Sequence, residues 1–285
     1  MKLKLTAFLL LTLFIFNASA QTGKVMDNLT LTSRILKVER SYAVYLPPDY
    51  ETSTRDYPVL YLLHGATDNH TGWVQFGEVL HITDKAIREG KATPMIIIMP
   101  DADTKVMGYY NIPNWNYEDF MFQELIPHVE KKFRIKSQKR FRAVAGLSMG
   151  GGGSFMYALR HPEMFSSACP LSAYVGPLTE EQSMNNLKRQ FPSATEEQGK
   201  TYYENHNALN LLAKTDVKDV KSVRWYIDCG DDDFLYEGNA LMHVEMRKKE
   251  IPHEYRVRDG GHTWTYWRDA LPEVLRFVSQ GFHQY

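Results

Sequence analysis

Five consecutive residues, Gly146-Leu147-Ser148-Met149-Gly150, have the types and spacing to hold a reactive hydroxyl. A serine projecting from a sharp turn between a strand and a helix needs small residues two positions before and two after it. Larger side chains there would collide across the turn. Gly146 and Gly150 meet that demand, and Gly151 to Gly153 add slack. The lead-in Phe141-Arg142-Ala143-Val144-Ala145 reads as an apolar strand, and Gly150 to His161, stopped by Pro162, as an amphipathic helix. Such a helix points its positive end at negative charge developing beside Ser148. The chemistry this turn serves is nucleophilic attack through a covalent intermediate.

A serine hydroxyl at its ordinary pKa is a weak nucleophile and needs a base. His262, in Gly260-Gly261-His262-Thr263-Trp264, follows the last apolar run, and its two glycines let a loop reach across. Imidazole exchanges a proton near neutral pH. The other histidines suit the task less: His64 precedes a glycine in an earlier loop, His161 ends a helix beside Pro162, and His128, His243 and His253 lie within or just after helical patterns. The acid that orients the base is expected between serine and histidine in the chain. Asp228, Asp231, Asp232 and Asp233 cluster after one strand, with Asp228 inside it beside Cys229. Asp233 lies far enough past Gly230 to turn back toward His262 and is the first choice; Asp232 is the second. A cation at this cluster is the rival reading, but the Gly and Glu placement of a calcium loop is missing. Two backbone N–H groups should receive the oxyanion, those of Met149 and of Ala66, which follows Leu62-Leu63-His64-Gly65.

These groups are far apart in sequence, so the fold must gather them. Strand patterns fall at Ser41–Leu46, Pro58–Leu63, Met95–Met99, Phe141–Ala145, Ala168–Leu171, Val223–Cys229 and Glu254–Val257. Helical patterns at Asn116–Phe133, Gly150–His161, Leu235–Glu250 and Thr265–Gln280 separate most of them. That alternation predicts an α/β class, with a mostly parallel central sheet flanked by helices. In such sheets ligands gather beyond the carboxyl ends of the strands. Those ends carry His64-Gly65, Asp101 and Asp103, Ser148, Ser172 to Pro177, Gly230 to Asp233, and Gly260 to His262. One stretch, about 174–212, breaks the rhythm: it is polar, charged and partly helical, interrupted by Pro177 and Pro192, and would lie over the rim as a lid.

The first twenty residues read as a secretory signal peptide: Lys2 and Lys4, an apolar run from Leu5 to Phe16, then Ala18-Ser19-Ala20 with cleavage before Gln21. The apolar run is too short to span a bilayer core of roughly 30 Å. Residues 21–285 are then expected to form one domain, periplasmic or secreted, whose formal charge moves from −1 to −3 with loss of the two lysines. No basic patch invites nucleic acid, and no later segment is apolar enough for a membrane. Cys169 and Cys229 end apolar runs and read as buried free thiols more readily than as a disulfide. Neither has a His or Cys at zinc-ligand spacing, so no metal or cofactor is expected.

The chain resembles the esterase D-like group of α/β-hydrolases, and within it the feruloyl esterases of carbohydrate esterase family 1. The resemblance rests on Tyr45-Leu46-Pro47-Pro48-Asp49-Tyr50, Tyr57 to Gly65, Gly146 to Gly151, Cys229-Gly230-Asp231-Asp232-Asp233 and Gly261-His262-Thr263-Trp264. It implies the α/β-hydrolase fold, Ser148 as nucleophile, His262 as base, Asp233 over its neighbours as the orienting acid, and Ala66 and Met149 as oxyanion donors. Relatives in the group include cinnamoyl and feruloyl esterases, acetylxylan esterases, S-formylglutathione hydrolases, enterochelin esterases and mycolyl transferases. Export disfavours the cytoplasmic glutathione role. The resemblance thus implies a serine esterase acting on feruloyl or cinnamoyl esters of xylan-derived saccharides. An acetylxylan or enterochelin-type siderophore esterase is the alternative within the class, and a non-catalytic carbohydrate-binding protein the one outside it. Tyr109, Tyr110, Trp115, Trp264 and Trp267 are aromatic residues expected near the rim, with Tyr109, Trp115 and Trp264 the candidate substrate contacts and core packing their alternative.

Overall fold

The computed structural model describes residues 21–66, 68–102 and 108–283, so the leader expected at 1–20 and Asp103 lie outside the described residues. Among the described residues ten strands occur in chain order: β1 (Lys24–Thr32), β2 (Glu39–Leu46), β3 (Val59–Leu63), β4 (Ile96–Pro100), β5 (Asn111–Ile112), β6 (Trp115–Asn116), β7 (Arg142–Leu147), β8 (Ser167–Leu171), β9 (Arg224–Gly230) and β10 (His253–Arg258). Eight of them form one sheet in the order β1-β2-β4-β3-β7-β8-β9-β10; β5 and β6 make a separate hairpin. Pairing is parallel from β4 to β10 and antiparallel at β1–β2 and β2–β4.

The central strands are apolar on both faces because both faces are covered. In β3, Val59, Tyr61 and Leu63 face one core while Leu60 and Leu62 face the other; Ile96 and Ile98 oppose Ile97 and Met99 in β4 in the same way. The first core is closed by the helices Met149–Arg160, Ile126–Lys132 and Tyr236–Lys248, the second by Val79–Arg88 and Trp264–His283. Each such side chain removed from water contributes roughly 1.5–3 kcal/mol. Cys169 and Cys229 are free and buried. None of the helices among the described residues is long and apolar enough to cross a membrane.

The seven strands expected from sequence are all present within about two residues of their expected ends. The elements not expected from the sequence include the polar edge strand β1, the short strands β5 and β6, and the helices Gly72–Gln75, Val79–Arg88 and Val217–Lys221. The stretch 174–212 contains the helices Glu180–Gln190 and Glu196–His206 and most of Ala208–Lys214. Their starts are capped by Thr179, Thr195 and Asn207, each accepting a backbone N–H three residues on.

After β3 the chain moves outward to β4, then returns to place β7 on the other side of β3. The connections leaving β3 and β7 therefore part at their carboxyl ends, and a crevice opens there, as in other doubly wound sheets. The β3 end carries His64-Gly65-Ala66 and the β7 end carries Ser148, so the topology alone brings these two segments to one place.

Candidate active site

Ser148 sits between β7 and the helix Met149–Arg160 with φ 55° and ψ −115°, a conformation L residues rarely adopt. The glycines around it are sterically required. A Cβ on Gly146 would lie 2.5 Å from the Gly150 backbone, and one on Gly150 would lie 2.6 Å from Leu63 O and 2.7 Å from His64 O. The strained turn is fixed by Ser148 N–H donating to Leu171 O at 2.9 Å and by Ser148 O accepting from Tyr174 N at 3.0 Å.

His262 Nε2 lies 2.9 Å from Ser148 Oγ, and His262 Nδ1 lies 3.0 and 2.9 Å from the two carboxylate oxygens of Asp233. With Nδ1–H donating to the carboxylate, Nε2 is left to accept the serine proton. Asp233 is 1% exposed. Burial alone would raise its pKa, but hydrogen bonds from His262, the Leu235 N–H (2.8 Å) and Ser172 outweigh it and hold the carboxyl below its ordinary value. Asp232 is exposed, beside Asp231 and Asp259. The imidazole is wedged between the Phe234 ring, 4.5 Å away, and the edge-on indole of Trp267 at 4.9 Å.

Two residues of this arrangement were not read as participants. Ser172, fully buried with φ 43°, hydrogen-bonds Asp233 and accepts the Trp267 indole N–H at 3.0 Å. A serine after a strand carries no marker of that role. Trp267, expected as an aromatic residue near the rim, is buried, and its N–H anchors Ser172, which in turn bonds Asp233.

The loop bearing Ala66 is braced from behind. His64 Nδ1–H donates to Gly65 O at 2.8 Å while Nε2 accepts the Ala102 N–H at 2.9 Å, which fixes the neutral tautomer. Met149 heads its helix, so its N–H has no acceptor within the helix. Ala66 and Met149 line a cavity of about 240 Å³ with Ser148, walled by Tyr110, Tyr174, Tyr202, Phe234, Leu187 and Leu235. Tyr109, Trp115 and Trp264 do not line it. Tyr109 is fully buried, its hydroxyl bonded to the His64 backbone. Trp115 is buried with its indole N–H on Gly108 O. Trp264 packs against Trp73, Phe76 and Trp267. Their apolar surface is used to support the rim from below, and the rings at the cavity come instead from Tyr110, the lid and the loop after β9.

A mostly parallel sheet that presents a serine on a strand-to-helix elbow, with histidine and acid from the last two strand ends, is the architecture of an α/β-hydrolase, and solved structures of that class superpose on it. The family model described as "Putative esterase" matches residues 33–278, and the chain belongs to that family. It is 40% identical over 242 residues to an "Endo-1,4-beta-xylanase/feruloyl esterase" of Xylanibacter ruminicola, covering 82% of this chain and 28% of that protein. It is 23% identical over 265 residues to an acetyl esterase of Caldicellulosiruptor saccharolyticus, covering 87% of this chain and 96% of the other. A solved ferulic acid esterase superposes with a TM-score of 0.81 at 36% identity, covering 91% of this chain and 99% of that one. The chain spans 28% of the length of each of the first three curated relatives it matches.

Proposed function

We propose that the chain is a serine carboxylic ester hydrolase that removes feruloyl or related hydroxycinnamoyl groups from xylan-derived saccharides. The observation that carries the reading is the unbroken chain from Ser148 Oγ through His262 to Asp233 at 2.9–3.0 Å, opening on a cavity walled by aromatic rings. The two feruloyl-type relatives supply the acyl group.

In this reading Ser148 Oγ attacks the ester carbonyl carbon and passes its proton to His262 Nε2. The carbonyl oxygen, now an anion, is received by the N–H groups of Ala66 and Met149; donors of this kind contribute about 10²–10³-fold each. The tetrahedral species collapses, the C–O bond to the sugar breaks, and Nε2 returns the proton to the leaving alkoxide. Water then attacks the acyl-enzyme with His262 as base, releasing the acid and free Ser148. Asp233 stays ionised and stabilises the imidazolium. The steps require no metal or organic cofactor. Export with cleavage before Gln21 belongs to the same proposal, and the intact mass of protein recovered outside the cytoplasm tests it.

The acetyl esterase relative favours a second reading with a smaller acyl group. Hydrolysis of methyl ferulate, acetylated xylan and enterobactin, with fluorophosphonate labelling of wild type and Ser148→Ala, separates the readings. Labelling lost in the variant and a preference for methyl ferulate are expected. Preference for acetylated xylan would move the assignment to acetyl esters, and preference for enterobactin to a siderophore lactone. Normal turnover by Ser148→Ala, or a wild type that neither labels nor cleaves any of the three, would end the esterase proposal.

A further inference from the structure

We propose that the groove between the lid helices and the β5–β6 hairpin is a subsite for the saccharide part of the ester, contiguous with the cavity at Ser148. The inference rests on the feruloyl esterase reading and adds the place where the alcohol portion of the substrate is held.

The groove has a volume of about 570 Å³, within the range of roughly 300–1,000 Å³ usual for small-ligand sites. Leu187 and Tyr202 line both this groove and the 240 Å³ cavity, so the two spaces meet at a partition made of these side chains. The groove itself touches neither Ser148 nor the residues of the oxyanion loop. A hydroxycinnamoyl group is short and flat, and the aromatic cavity beside Ser148 accounts for it. The groove lies on the far side of that partition, where an alcohol portion extending from a carbonyl held at Ser148 would enter it.

The lining has the chemistry a neutral saccharide requires. Its floor is apolar and partly aromatic, with Ile112, Leu187, Phe191 and Tyr202, suited to the C–H faces of a pyranose ring. The Tyr202 ring is held in place by stacking on His206, with centroids 4.2 Å apart and planes at 14°. The rim supplies hydroxyls and primary amides: Asn205 offers both donor and acceptor to sugar hydroxyls, and Gln198, whose Oε1 accepts the Thr195 N–H at 2.9 Å, offers its amide N–H groups. Glu197 is the one side chain of the lining with a full charge at neutral pH, because burial pushes His206 down to about 4. A groove with no cation and one carboxylate disfavours phosphate and carboxylate ligands and leaves uncharged polyols.

Two measurements test the assignment. Binding of an unesterified arabinoxylo-oligosaccharide, read by calorimetry, involves no acyl group and so stands apart from the acyl preference. Kinetics on methyl ferulate and on a feruloylated arabinoxylo-oligosaccharide reads the subsite in turnover. Thr201→Trp, at an exposed position on the groove's edge, fills the space without touching the cavity at Ser148. The free oligosaccharide should bind the wild type and lose at least tenfold in affinity with Thr201→Trp. The variant's kcat/KM on the oligosaccharide ester should fall at least tenfold, while that on methyl ferulate stays within twofold. If Thr201→Trp misfolds, as circular dichroism would show, Asn205→Ala replaces it with an expected threefold rise in KM confined to the oligosaccharide ester. Equal changes on both esters, or no binding of the free oligosaccharide to the wild type, would overturn the subsite. A wild type that binds the oligosaccharide but cleaves acetyl in preference to feruloyl esters would sink the acyl assignment and leave the groove standing.

Discussion

At the scale of single residues, the backbone of Ser148 and the second partner of Asp233 make separate claims. A non-glycine residue at φ 55° and ψ −115° stores strain on the order of 1–3 kcal/mol. Ser148→Gly and Ser148→Ala should both lose turnover by at least about 10³-fold. The glycine variant should nevertheless be more stable than the alanine one by about 1 kcal/mol in urea unfolding, since glycine relaxes in that conformation. Equal stabilities would mean the elbow is not strained in solution. Ser172→Ala removes one donor to the buried Asp233 and leaves the Trp267 indole without its acceptor. A hydrogen bond to a charged group is worth roughly 1.5–3 kcal/mol, so kcat should fall about tenfold or more with KM nearly unchanged. A rise in KM with kcat intact would place Ser172 in substrate binding instead. Ser148 and His262 were legible because glycines mark the turns that hold them. The choice of Asp233 over Asp232 was weaker in the residues alone, because both follow the same strand. What separates them in space is the turn after β9, which buries one carboxylate against Leu235 N–H and Ser172 and leaves the other in solvent.

At the scale of elements, the elbow depends on two strand ends meeting at close range. An alanine Cβ at position 150 would press on the carbonyl oxygens of Leu63 and His64, backbone atoms that cannot rotate away. Gly150→Ala should therefore move the end of β3 and with it the Ala66 N–H. A loss of about 1–3 kcal/mol in stability is expected, as in other overpacked sites, together with a fall in kcat larger than for an Ala66 side-chain variant. Unchanged thermal stability and turnover would show that the two segments do not pack this tightly. The strands that meet here were plain in the sequence, since β3, β4 and β7 are apolar runs buried on both faces. Strand β1 was not, because it pairs along one side only and its residues are exposed or half-buried, which leaves no apolar pattern to read. The helix Val79–Arg88 escaped for a different reason: it starts after Glu78 in the left-handed region with no side-chain cap, so its start carries no local signal. The lid's capping residues were visible as types, yet polar helices reveal little about what they cover.

At the scale of the whole molecule, His206 ties the lid to the body and gives stability a dependence on pH. It ends the helix Glu196–His206, stacks on Tyr202, and reaches the hairpin through Nε2, 3.2 Å from Asn111 O. Burial, aided by the Arg160 guanidinium, lowers its pKa from 6.5 to about 4, although the carbonyls of Asn111 and Tyr202 and the carboxylate of Glu118 pull the other way. The folded chain therefore keeps this ring neutral at pH values where the unfolded chain has already taken up a proton. Between pH 6.5 and 4 the unfolded state binds more protons, so stability must fall as pH falls through that window and level off below it. The size follows from the shift, roughly 3 kcal/mol over the full window for this one group. Asp233, held low by its hydrogen bonds, adds its own loss only at more acid pH, where the unfolded chain takes up a proton that the folded carboxylate still resists. His206→Gln retains an amide to bond one of the two carbonyls and cannot titrate. Its unfolding free energy should thus change by about 2–3 kcal/mol less than that of the wild type between pH 7 and 4.5, in urea melts at matched salt. Parallel pH profiles for the two proteins would show that His206 takes up its proton in the folded lid over the same range as in the unfolded chain. In that case the stacked Tyr202–His206 pair would carry charge beside the groove below about pH 6.5, and the lining would disfavour anions only above it.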